Sequence, residues 1–81
     1  MKEALAKLDP ELLFADGYDE CIMGITIKNG VPVVLYSAAG VVQKLAEEMD
    51  IEYAREFFEF NIAGAYVGER TPVFYEQDDD A

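Results

Sequence analysis

"CIMGITIKNGVPVVLY", Cys21 to Tyr36, decides the fold. Two runs of β-forming residues flank Asn29-Gly30, the pair favoured in a two-residue type I′ turn because both central positions need positive φ. The stretch predicts an antiparallel hairpin with Lys28 opposite Val31, Ile27 opposite Pro32, Ile25 opposite Val34 and Met23 opposite Tyr36. One face then carries Met23, Ile25, Ile27, Val34 and Tyr36 and reads as the core face. The other carries Ile22, Thr26, Val31, Val33 and Leu35, too apolar for plain solvent.

Pro32 constrains what lies beside the hairpin. In this register it sits at a non-hydrogen-bonded pair, so its missing N–H would have pointed away from the first strand. The second strand should therefore be an edge there, and a third strand should pair with the first. "TPVFYE", Thr71 to Glu76, is the candidate, which gives strand order 2-1-3 in a mostly antiparallel sheet.

Two helices fill the space between. Ser37 is placed to cap the first, whose apolar stripe is Val41, Val42, Leu45, Ala46 and Met49. Asp50 ends it and can cap the second, in "IEYAREFFEFNIAGAY". There Ile51, Tyr53, Ala54, Phe57, Phe58, Phe60 and Ile62 spread over more than half the circumference, so this helix should be covered on two sides. Upstream, Asp9 with Pro10 reads as a second start within a short N-terminal helical segment, with Leu5, Leu8, Leu12 and Leu13 on its buried side. The expected class is thus α+β: a three-stranded sheet covered by two central helices, preceded by that segment. Residues 1–76 read as one domain, because 81 residues cannot build two cores. Residues 77–81 complete an acidic tail, "EQDDDA" from Glu76, which self-repulsion should keep mobile.

Composition excludes more than it assigns. Without histidine and with one cysteine, imidazole bases, most zinc sites and an internal disulfide drop out. A lone thiol fits a reducing compartment, and neither a signal peptide nor a membrane span is legible, so a cytoplasmic setting is expected. Seventeen acids against six bases give a net charge of −11. That argues against direct binding to nucleic acid or an anionic membrane, and suits a basic protein partner or plain solubility.

Candidate sites are few. Asn61 falls among aromatics at the middle of the wide helical arc, where a buried amide must find partners. Its side chain either fixes the following loop, "GAYVGERTP", or lines a small pocket or self-association surface. Glu69 and Arg70 read as a solvated turn with binding as the lesser alternative, and Tyr66 lies between Gly64 and Gly68. "LYSAAGVV", Leu35 to Val42, lacks the lysine and glycine spacing of a phosphate loop. Asp16, Asp19 and Glu20 lack calcium-loop spacing. Cys21 reads as a small core residue, its thiol disfavoured by adjacent acids. No catalytic, cofactor-binding or metal-ligating residue emerges.

"LFADGYDECIMGI" followed by "EYAREFFEFNIAGAYVGERTPVF" resembles a family of small bacteriophage and viral-metagenome proteins. The likeness runs from about Leu13 to Phe74 with a variable hairpin between the two blocks. It implies viral origin and an intracellular setting in the host, and carries no activity, cofactor or catalytic residue across.

The expectation is therefore a non-enzymatic, phage-derived interaction protein that binds a host or phage protein with a basic surface. An acidic mimic of DNA is one form of it, though Glu52, Glu56 and Glu59 are spaced at roughly 6 Å, against one charge per about 1.7 Å in duplex DNA. The alternative is a small-molecule-binding homodimer with a pocket near residues 61–72, around Asn61, Tyr66 and Arg70. The face of Ile22, Val31, Val33 and Leu35 should be hidden by the N-terminal segment or by a second copy, and the second option makes a homodimer the expectation.

Overall fold

The hairpin forms where Asn29-Gly30 places it, with φ of 51° and 81° at the two turn residues. The computed structural model describes residues 1–76. The acidic residues 77–81, read from sequence as a mobile tail, lie outside them. Strands β1 (Ile22–Lys28) and β2 (Val31–Ser37) pair antiparallel in the expected register from Lys28 opposite Val31 to Gly24 opposite Leu35.

Beyond Gly24 the register shifts, and Ile22 rather than Met23 stands opposite Tyr36. Gly24 supplies this bulge with φ of 149°, a conformation side-chain-bearing residues rarely adopt. The extra residue turns Ile22 into the core and Met23 out to solvent. The expected core face of β1 is corrected further along, because Ile25 and Ile27 are exposed as well, Ile27 at 64%. β2 is the most buried strand, with Val33, Val34 and Tyr36 fully buried, while β1, at the sheet edge, gives Ile22 to the core.

Strand order is the second correction. β2 is central, and β3 (Val73–Tyr75) runs parallel to it, with Leu35, Tyr36 and Ser37 opposite Val73, Phe74 and Tyr75. The sheet is thus mixed, in order β1-β2-β3. Between β2 and β3 the chain passes through two helices, the kind of crossover that brings a strand back parallel. The inference from Pro32 holds only locally. β3 spans three residues and meets β2 beyond Pro32, so β2 is unpaired on that side at Pro32 and central at Tyr36.

Both helix starts follow the sequence. Ser37 Oγ accepts a 3.0 Å bond from Gly40 N–H at the head of α2 (Ala38–Leu45), and Asp50 Oδ2 accepts one of 3.2 Å from Glu52 N–H at the head of α3 (Ile51–Phe57). At the other end of the chain, α1 (Lys2–Leu8) stops at Asp9. The Asp9 carboxylate accepts from Glu11 N–H and its carbonyl from Leu12 N–H, which closes a turn at the second start read from Asp9 and Pro10. Of the four leucines assigned to the buried side, Leu12 is buried and Leu5 half-buried, whereas Leu8 and Leu13 are exposed.

α2 brings Val41, and the turn that continues α3 brings Phe58, into one core cluster with Val34 and Tyr36 of β2. The Tyr36 ring stacks on Phe74 with centroids 5.3 Å apart, and Phe58 meets Phe74 edge-on at 5.4 Å. At the rim of this cluster the Tyr36 hydroxyl accepts a 2.7 Å bond from Ala15 N–H, which ties the N-terminal segment to β2. Burial pushes the Tyr36 hydroxyl pKa above its ordinary value.

Candidate functional site

The chain from Phe58 to Thr71 holds the candidate interaction or pocket residues Asn61, Tyr66, Glu69 and Arg70, and its geometry starts with a change of helix. After Phe57, α3 widens into a π-helical turn, Phe58–Ala63. Five-residue hydrogen-bonded loops advance fewer degrees per residue than an α-helix, so a 100° wheel no longer places residues beyond this point. Phe58 stays in the core, while Phe60 stands 81% exposed and Asn61 is exposed beside it. The Asn61 amide donates a 3.2 Å bond to the Phe57 carbonyl. The expectation of a buried Asn61 holding the following loop is corrected: its partner is one turn back, on the helix itself.

Past Gly64 the loop is closed by Thr71. Its hydroxyl donates to the Gly68 carbonyl at 2.7 Å and accepts from Val67 N–H at 2.9 Å. The Lys28 ammonium, from β1, donates to the Thr71 carbonyl at 2.9 Å. Tyr66 projects from this loop 76% exposed, and Glu69 is exposed next to Arg70.

Arg70 itself points inward. One guanidinium nitrogen donates to Asp9 Oδ2 at 2.9 Å and to the Pro32 carbonyl at 3.2 Å, and the other to Glu11 Oε1 at 3.0 Å. It therefore clamps three segments: the turn after α1, the open side of β2 and the loop before β3. The Arg70 hydrogen bond holds the Asp9 carboxyl below its ordinary 3.8, and the same bond raises Arg70.

Two surface grooves among the described residues lie apart from these side chains. One surface groove, of about 410 Å³, lies between α2 and α3 against Val42, Gln43, Arg55, Phe58 and Glu59. Another, of about 310 Å³, is lined by Glu20, Cys21, Ser37, Gly40, Lys44 and Glu47. Neither is lined by Asn61, Tyr66, Glu69 or Arg70. Cys21 is buried, with its sulfur 3.2 Å from where a Gly40 side chain would begin. Burial, reinforced by Glu20, pushes its thiol pKa up.

The face expected to pair two copies is not one exposed surface. Val33 is fully buried within the chain, Val31 and Leu35 are half-buried, and the bulge turns Ile22 into the core on the opposite side. The apolar side chains standing out from the hairpin are Met23, Ile25 and Ile27. The signal for this exchange was Gly24, since a glycine inside a strand marks a bulge. No local signal could join Arg70 to Asp9 and Glu11, which lie 61 and 59 positions away.

Among the described residues no group of three thiol or carboxylate side chains is arranged to hold a metal ion. No helix among them is long and apolar enough to cross a membrane. Set against protein-family models, curated proteins and solved structures, the chain finds no match.

Proposed function

We propose that the chain is a non-enzymatic interaction protein that binds a host or phage protein with a basic surface, in the host cytoplasm. The observation that carries this reading is the exit of α3, where Phe60 and Tyr66 stand exposed, with the exposed acids Glu56, Glu59 and Glu69 close to them in sequence. Large aromatic side chains ringed by charge are what a protein interface uses as anchors. The charge pattern supports the sign of the partner. Lys2, Lys44 and Arg70 pair with acids of the same chain and Lys28 with a backbone carbonyl, while Glu52, Glu56 and Glu59 remain exposed.

Capture from bacterial lysate by the wild-type chain and by a Phe60→Ala, Tyr66→Ala double variant tests it. Both side chains are exposed, so the variant should keep the wild-type circular dichroism. A basic protein retained by the wild type, released by raised salt and lost with the variant is the expected result. Equal retention by both chains would remove the α3 exit from the interface.

A further inference from the structure

Among the described residues the outer edge of β1 is left without a neighbouring strand. In a hairpin closed by a two-residue turn, Lys28 and Val31 form a hydrogen-bonded pair, so Thr26 bonds toward β2, whereas Ile25 and Ile27 stand at non-bonded positions. The N–H and C=O groups of Ile25 and Ile27 therefore face away from β2. β1 is the outer strand of the sheet, and no backbone partner meets these groups among the described residues. A row of unpaired backbone groups is a template for another strand.

Natural edges are blunted by charge, and this one is not. From Ile22 to Ile27 there is no charged side chain, in a chain of net charge −11. Lys28 is the residue that could guard the edge, but its ammonium is tethered to the Thr71 carbonyl. Met23, Ile25 and Ile27 remain exposed on the strand.

We infer that the partner strand is β1 of a second copy, antiparallel and centred on Thr26. Ile25-Thr26-Ile27 reads the same in both directions, so a twofold axis through Thr26 sets Thr26 opposite Thr26 of the second copy and Ile25 opposite its Ile27. That register uses the outward groups of Ile25 and Ile27 from both copies and makes about four new backbone hydrogen bonds. It also sets apolar side chains against apolar ones, as an isologous interface requires. The uncharged strand is a place where two molecules this acidic can meet without setting acid against acid. Two three-stranded sheets become one of six strands.

Wild-type hydrogen exchange at a series of chain concentrations reads this directly, alongside sedimentation. The expected result is a 9.0 kDa species at dilution that doubles in mass as concentration rises. The amides of Ile25 and Ile27 should gain protection in step, while that of Thr26 is protected throughout. Ile27→Lys, at an exposed position, should stay monomeric at every concentration with an unchanged melting curve. Oxidised Thr26→Cys should form a disulfide-linked dimer faster than Ile27→Cys, since only position 26 meets itself across the axis. A mass that never doubles, or doubling that survives Ile27→Lys with Ile25 and Ile27 still exchanging freely, would overturn the inference. Because the partner reading is tested by Phe60→Ala, Tyr66→Ala and this one by Ile27→Lys, failure here leaves the partner reading standing, and the converse holds.

Discussion

Arg70 leaves little of its guanidinium free for a ligand, because both terminal nitrogens are already bonded within the chain. Its side chain is 24% exposed and that of Asp9 27%, so water still reaches the pair. The Pro32 carbonyl makes the arrangement specific, since β2 has no strand neighbour there to take it up. Arg70→Ala should lower the melting temperature by several degrees, and Arg70→Lys should recover only part of it, because an ammonium cannot span the same fork. The pH dependence has a fixed sign. Asp9 has a folded pKa held below its ordinary 3.8, so its contribution is present above that value and is lost as pH falls through the folded one. Thermal melts of wild type and Asp9→Asn should differ at pH 7 and converge in acid; a gap of constant size would show that the Asp9 charge does nothing for the fold. At Tyr36, removing the hydroxyl with Tyr36→Phe deprives Ala15 N–H of its acceptor, and should cost about 1–2 kcal/mol in denaturant unfolding.

The elements divide by how local their causes are. The Asn29-Gly30 turn, the Ser37 and Asp50 caps and the strand spanning Val73 to Tyr75 were legible because each rests on neighbouring residues. Strand order was not, since Pro32 reports only what happens at its own level, and a third strand of three residues can meet β2 elsewhere. The position of Asn61 was misread because the wheel assumed an α-helix through a segment that widens after Phe57. Arg70 was legible as a residue of the turn but not as a clamp, for its partners lie at the other end of the sequence. The bulge in β1 shows the same limit. Its glycine was visible, yet the alternation of Met23, Ile25 and Ile27 argued for an unbroken strand. Gly24 at φ of 149° should be intolerant of a side chain even though open space surrounds it. Gly24→Ala is therefore expected to lose about 1–2 kcal/mol of unfolding free energy through backbone strain alone. Unchanged stability would mean that the bulge relaxes at no cost into the regular register that puts Met23 opposite Tyr36.

At the scale of the whole molecule, charge sets the balance that these local devices work against. A chain of 81 residues buries a modest share of its surface, and it does so while carrying seventeen acids and six bases. Several of those bases are spent on internal contacts, as Lys44 on Glu20 and Arg70 on Asp9 and Glu11. The surplus acids repel one another in the folded state more than in the expanded chain, so compaction carries an electrostatic penalty. Salt acts on this penalty and on the ion pairs with opposite sign. Raising sodium chloride from about 0.01 M to about 0.15 M shortens the screening length from about 30 Å to about 8 Å. Repulsion summed over the surface is long-ranged and should be screened strongly, whereas the Arg70 contacts, at about 3 Å and partly sheltered, should weaken little. The melting temperature should therefore rise with salt over this range, and the rise should be steeper in Arg70→Ala, which has the same acids and one cation fewer. A melting temperature that falls with salt in the wild type would mean that the clamp and its neighbouring pairs outweigh the net charge, and that the acidic surface is not a burden on folding.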